Sequence, residues 1–92
     1  WTPVHFRQAL RHPIAVDGFE SDRAGLEWCD RLVLLLPCGR SAHLEAGWAA
    51  GSGRPVHVLL ADGEPELMYL LAKTSGGSIH TSPDELRTVL RL

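Results

Sequence analysis

The side chains best placed to do chemistry lie between residues 37 and 48, where Pro37-Cys38-Gly39-Arg40-Ser41 leads into an alanine-rich segment carrying His43, Glu45, Gly47 and Trp48. If an apolar strand ends at Pro37 and a helix follows, Gly39-Arg40-Ser41 sits at a helix N-terminus. Unpaired N–H groups and the helix dipole favour an anion there, with Arg40 adding a cation and Ser41 a hydroxyl. The same residues read equally well as local structure, with Gly39 making the turn and Ser41 capping the helix. The stretch lacks the lysine of a P-loop and the spacing of a dinucleotide fingerprint. Glu45 lies one turn further on among Leu44, Ala46, Gly47 and Ala49, and is either a solvated helix glutamate or a carboxylate placed for reaction. Gly47 in mid-helix costs about 1 kcal/mol relative to alanine, which points to something approaching the backbone closely at that position.

Other candidates are weaker. His43 stands two residues from Glu45 and projects about 160° away from it on a helix, so the two do not pair. His5, His12, His57 and His80 show no ligand spacing, and no metal or cofactor site is expected. Cys38 is a thiol at a strand end, but no base stands near it in sequence, so a small buried residue is the simpler reading. Trp28, Trp48 and Tyr69 read as core or interface, and Trp48 could alternatively stack on a base beside the site.

The elements that must position these groups follow from the apolar pattern. The unbroken run at residues 32–36 and a second at 56–60 read as buried strands, joined through a helix at 42–51. A crossover of that kind makes the strands parallel neighbours and the connection right-handed, with Glu45 at their carboxyl end, where ligands of open α/β sheets bind. Upstream, Thr2-Pro3 opens a short helix that Pro13 ends; residues 14–18 are a loop; and Ser21 or Asp22 caps a second helix through Ala24, Leu26 and Trp28. Downstream, a turn at 61–63 precedes an amphipathic helix at 64–73 with Leu67, Met68, Leu70, Leu71 and Ala72 on one stripe. Gly76-Gly77 break it before a very short third strand at 78–80. Ser82, Pro83 and Glu85 form a capping box for a last helix carrying Leu86, Val89, Leu90 and Leu92.

Ninety-two residues, 45% hydrophobic and 22% charged with a net charge of −2, fit one small domain. No basic stripe suggests a nucleic-acid polymer as partner, and no apolar segment reaches the roughly 20 residues that cross a bilayer. Two distant cysteines suit a reduced, cytoplasmic protein. The expected fold is a three-layer α/β sandwich with a parallel sheet, Rossmann- or flavodoxin-like. Since such sheets commonly have four or five strands, the first strand or strands are expected to precede Trp1.

Glu45-Ala46-Gly47-Trp48-Ala49-Ala50 followed by Gly53-Arg54-Pro55-Val56 resembles the nucleoside 2-deoxyribosyltransferase-like family, with its Glu-x-Gly helix and its Gly-Lys-Pro-Val approach to the next strand; the resemblance covers about residues 14–73. It implies that Glu45 is a nucleophile that attacks the anomeric carbon of a 2'-deoxynucleoside or its 5'-monophosphate and holds the sugar as an ester. It also implies that Asp22 touches substrate, that Arg40 and Ser41 suit a phosphate, and that the protein is a homo-oligomer with sites completed between subunits. The chain departs from the family at Gly39, where transferases often carry an aspartate six residues before the glutamate. Two readings follow: an N-glycosidase or deoxyribosyltransferase, or a non-catalytic module of the same fold that binds a nucleotide or nucleotide-sugar at residues 39–41.

Overall fold

The frame of the molecule is an open, all-parallel sheet of three strands, β1 (Leu32–Leu35), β2 (Val56–Leu59) and β3 (Ser78–His80), in the order β1-β2-β3. The computed structural model describes residues 2–60 and 64–92. The expected pairing of the first two strands is observed, with Leu32 opposite Val56 and Leu35 opposite Leu59. The short third strand also forms, parallel to β2, with His57 opposite Ser78.

Alternation along the strands divides the core. On one face, Leu34, Leu36, Val56 and Val58 pack against Ala46 and Ala49 of α3 (Arg40–Gly51) and Ala72 of α4 (Leu71–Thr74). Alanine at these positions lets α3 lie close on the sheet. On the other face, Leu59 meets Leu86 and Leu90 of α5 (Pro83–Leu90). Because α5 packs on β2 and β3, Val33 and Leu35 of β1 remain 37% and 56% exposed. The chain is therefore mixed α/β with helices on both faces of a small parallel sheet.

α1 (Pro3–Ala9) begins as expected, with Thr2 Oγ1 accepting from the His5 N–H at 3.2 Å. The next segment does not. α2 runs Pro13–Trp28, its N-cap is His12, and His12 Nδ1 accepts from the Ile14 N–H at 3.2 Å. Residues 14–18 are thus helical rather than a loop, and Ser21 and Asp22 lie mid-helix rather than at a cap. The physical reason is that a proline able to stop one helix is also well suited to the first turn of the next, where its missing N–H costs nothing.

The amphipathic helix expected at 64–73 is also replaced. A 3₁₀ turn, Leu67–Leu70, runs directly into the single turn of α4. Of the apolar stripe only Ala72 is buried, while Leu67 and Met68 are 76% and 63% exposed. The sheet offers too little surface for a longer helix to cover. The turn expected at 61–63 lies outside the described residues. In α5, Ser82 Oγ accepts from the Glu85 N–H at 3.3 Å, whereas the Glu85 carboxylate accepts from Thr81 Oγ1 at 3.0 Å, so half of the capping box forms. Leu86 and Leu90 are buried, whereas Val89 and Leu92 are 44% and 84% exposed.

One glycine is dictated by packing. A Cβ on Gly77, where α4 hands over to β3, would fall on the Val56 main chain. Among the described residues, no helix is long and apolar enough to cross a membrane.

Candidate functional site

Ser41, Leu44, Glu45 and Trp48 recur at intervals of three and four along α3 and so share one flank of it, away from the alanines that face the sheet. This flank forms a groove of about 470 Å³ with Phe19, Asp22, Arg23 and Leu26 of α2. A neighbouring hollow shares Asp22, Leu26 and Glu45 and continues to Arg31, Leu32 and Val33 beside the edge strand β1. Four of the side chains singled out in the sequence, Asp22, Ser41, Glu45 and Trp48, are thereby brought to one place from two helices. The groove is lined by the two helices, and among the described residues no strand residue lines it.

Gly39 and Arg40 do not line it. Gly39 is the N-cap of α3 in extended conformation, no side chain caps the helix, and Ser41 is its second residue rather than its cap. Arg40 is exposed at the first position. Gly39 and Arg40 therefore lie outside the groove that holds the carboxylates, whereas Ser41 lies within it.

No sequence pattern announces the part played by Arg54. Its Nε donates to the Cys29 carbonyl and one terminal nitrogen to the Glu27 carbonyl, both at 2.8 Å, while the other reaches Ser52 Oγ at 2.8 Å. Its guanidinium also lies 4.9 Å from the centre of the Trp48 ring. This one side chain pins the C-terminal end of α2 to the start of β2 and covers one face of the indole, so it sets where the two walls of the groove stand.

A base does stand near Cys38 after all. His43 Nδ1 lies 3.7 Å from Cys38 Sγ and 2.8 Å from the Gly39 carbonyl oxygen, and Nε2 lies 2.8 Å from the Tyr69 hydroxyl. A nitrogen facing a carbonyl at that distance carries the proton, so the neutral imidazole donates from Nδ1 and accepts the Tyr69 O–H at Nε2. The basic lone pair is thus engaged by the phenol and is not free to take the thiol proton. Burial, then the nearby Cys38 and Glu66, raise the Tyr69 pKa above its ordinary value and keep the phenol a donor.

Two histidines that look scattered in sequence also meet. His57 Nδ1 lies 2.6 Å from Ser78 Oγ, which lies 2.5 Å from His80 Nε2; His80 Nδ1 faces Glu85 Oε2 at 3.5 Å. Ser78 Oγ thus bridges the two imidazoles, and its single hydroxyl proton can serve only one of them. The parallel register of β2 and β3 creates this cluster, and no sequence spacing encodes it. Burial first, then the charge of Arg31 and of His80, lower the His57 pKa. No group of three or more His, Cys, Asp or Glu side chains arranged for a metal is found among the described residues.

No family model, curated protein or solved structure matches the chain.

Proposed function

We propose that the groove between α2 and α3 carries out N-glycosyl transfer or hydrolysis on a 2'-deoxynucleoside or its 5'-monophosphate, in a Rossmann-like domain of the nucleoside 2-deoxyribosyltransferase-like kind. The observation that carries this reading is that Glu45 and Asp22 line one groove together with the Ser41 hydroxyl and the Trp48 indole. The Glu45 carboxylate attacks the anomeric carbon, the C–N bond breaks, and the base leaves with the electron pair and takes up a proton. Water or a second base then opens the glycosyl ester. Asp22 accepts from a sugar hydroxyl, and Trp48 offers its uncovered face to the base.

Glu45→Gln keeps shape and removes the attacking charge. Base release from deoxynucleosides and their monophosphates, followed by chromatography, falls by several powers of ten while deoxynucleotide binding survives; full release by this variant sinks the covalent route. The second reading, a non-catalytic nucleotide-binding module, is favoured by the absence of any side-chain cap on α3, which leaves its first N–H groups for an anion beside Arg40. Under it, Glu45→Gln leaves binding intact and the parent protein releases no base. Self-association belongs to both readings, because α1 and α2 bury none of their residues and an isologous dimer would cover them. The two cysteines, both unpaired, suit the reduced, cytoplasmic setting of either reading.

A further inference from the structure

We propose that a second cavity, on the opposite flank of α3 from Glu45, binds a small amphiphilic amine: a ring-sized apolar body carrying one ammonium group. The cavity measures about 220 Å³, and an apolar hole of about 150 Å³ is enough to admit benzene. Its floor is the buried trio Leu34, Val56 and Val58. Its α3 wall is held back at Gly47, where an added Cβ would meet nothing within 4 Å. The mid-helix glycine flagged by the sequence therefore has no neighbour pressing on it within the described residues and borders open space instead. Met68 stands at the rim, 63% exposed.

The polar groups decide the chemistry. His43, Tyr69 and Glu66 line the cavity, and no Lys or Arg does. Both His43 nitrogens are engaged, one with Gly39 and one with Tyr69, and the Tyr69 proton is given to His43. What remains is acceptors: the Tyr69 oxygen and the exposed Glu66 carboxylate. A ligand must therefore donate hydrogen bonds, and a cationic donor suits the carboxylate. The stacked rings of His43 and Tyr69, 5.7 Å apart, add an aromatic surface for an ammonium or a ring. A neutral acceptor ligand or an anion would find no partner here.

The test is titration of the ¹⁵N-labelled 92-residue chain with 2-phenylethylamine and its neutral isostere 2-phenylethanol, read by amide chemical shifts. Shifts are expected at Ala46, Gly47 and Tyr69, with the amine about fivefold tighter than the alcohol, the size of an ion pair at a solvent-exposed rim. Glu66→Gln, at an exposed position, brings the amine down to the alcohol. Gly47→Leu fills the space and abolishes both titrations. The proposal is overturned if the alcohol binds as tightly as the amine, if the shifts fall at Asp22 and Trp48 instead, if neither probe shifts any amide at millimolar concentration, or if a folded Gly47→Leu still binds. Should Gly47→Leu not fold, an unchanged amine preference in Glu66→Gln overturns it alone.

Discussion

Helices α1 and α2 bury none of their residues, whereas the sheet that follows them holds Val58 at 1% exposure and the helix α3 packed on it holds Ala49 at 0%. The arm is not short of apolar side chains: Phe6, Ile14 and Phe19 are 55%, 77% and 62% exposed. What it lacks is a second surface. Its poor packing shows in the shape of the molecule, whose radius of gyration is 15.1 Å against about 12 Å for a compact domain of this length. Burial, not hydrophobic content, decides which region carries the stability, and the sheet carries it here.

The contrast breaks most sharply at single residues. Gly77→Ala drives a methyl group into the Val56 main chain, which cannot move without disturbing β2, and is expected to cost about 3 kcal/mol, the upper part of the usual range for overpacking. Ile14→Ala in the arm alters more atoms, removing three carbons, yet changes stability by less than about 0.5 kcal/mol, as surface substitutions do. Urea unfolding of the two variants decides the matter. Equal losses would mean that α2 shares the core after all.

The same contrast explains what could be read from the sequence. Unbroken apolar runs at β1 and β2, the breakers Pro37 and Gly76-Gly77, and the Ser82-Pro83 cap each state one structural instruction, and the sheet formed as they specify. The first part of α2 was illegible because Pro13 reads as a breaker while no buried stripe argued the other way; its later part, through Ala24, Leu26 and Trp28, was read as helix. In the candidate site, Ser41, Glu45 and Trp48 were legible because one helix spaces them. Asp22 reached the same groove from a helix whose start was misplaced. Arg54, the His43–Tyr69 pair and the His57–Ser78–His80 chain are products of tertiary register, 21 to 27 residues apart in most of their bonds, and no local pattern announces them.

Arg54 is the joint between the two regions, so its loss should separate them. Arg54→Met keeps an aliphatic side chain but removes the guanidinium over Trp48 and its hydrogen bonds to Glu27, Cys29 and Ser52. The expected cost is about 1 to 2 kcal/mol, a charged donor lost from partly buried carbonyls. Native-state hydrogen exchange should show α2 amides losing protection while β2 amides keep theirs. A uniform loss across both regions would make them one cooperative unit.

A smaller effect of opposite sign separates Gly47 from Gly77. Nothing within 4 Å opposes a Cβ at residue 47, so Gly47→Ala should stabilise α3 by about 1 kcal/mol through helix propensity alone. Thermal unfolding measures it. A loss of stability would mean that something does press on that backbone, such as a second copy of the chain.

The smallest effect is read as a slope rather than a step, and it lies wholly within the sheet region. His57 is 6% exposed. It is faced by Ser78 and His80 on β3 and by Val33 across β1, with Arg31 nearby and Glu85 of α5 beyond His80. Burial, Arg31 and His80 all disfavour its charged form and lower its pKa from 6.5. A lowered pKa means that the unfolded chain binds more protons than the folded one between the two values. Stability is therefore fully present above about pH 6.5 and declines as the pH falls towards the folded-state value. His57→Asn retains a hydrogen-bonding group toward Ser78 without titrating in this range, so its urea midpoint should hold flatter between pH 7.5 and pH 5, while Ile14→Ala in the arm keeps the parent slope. If His57→Asn declines as steeply as the parent, the buried imidazole is not the group that couples the sheet to pH.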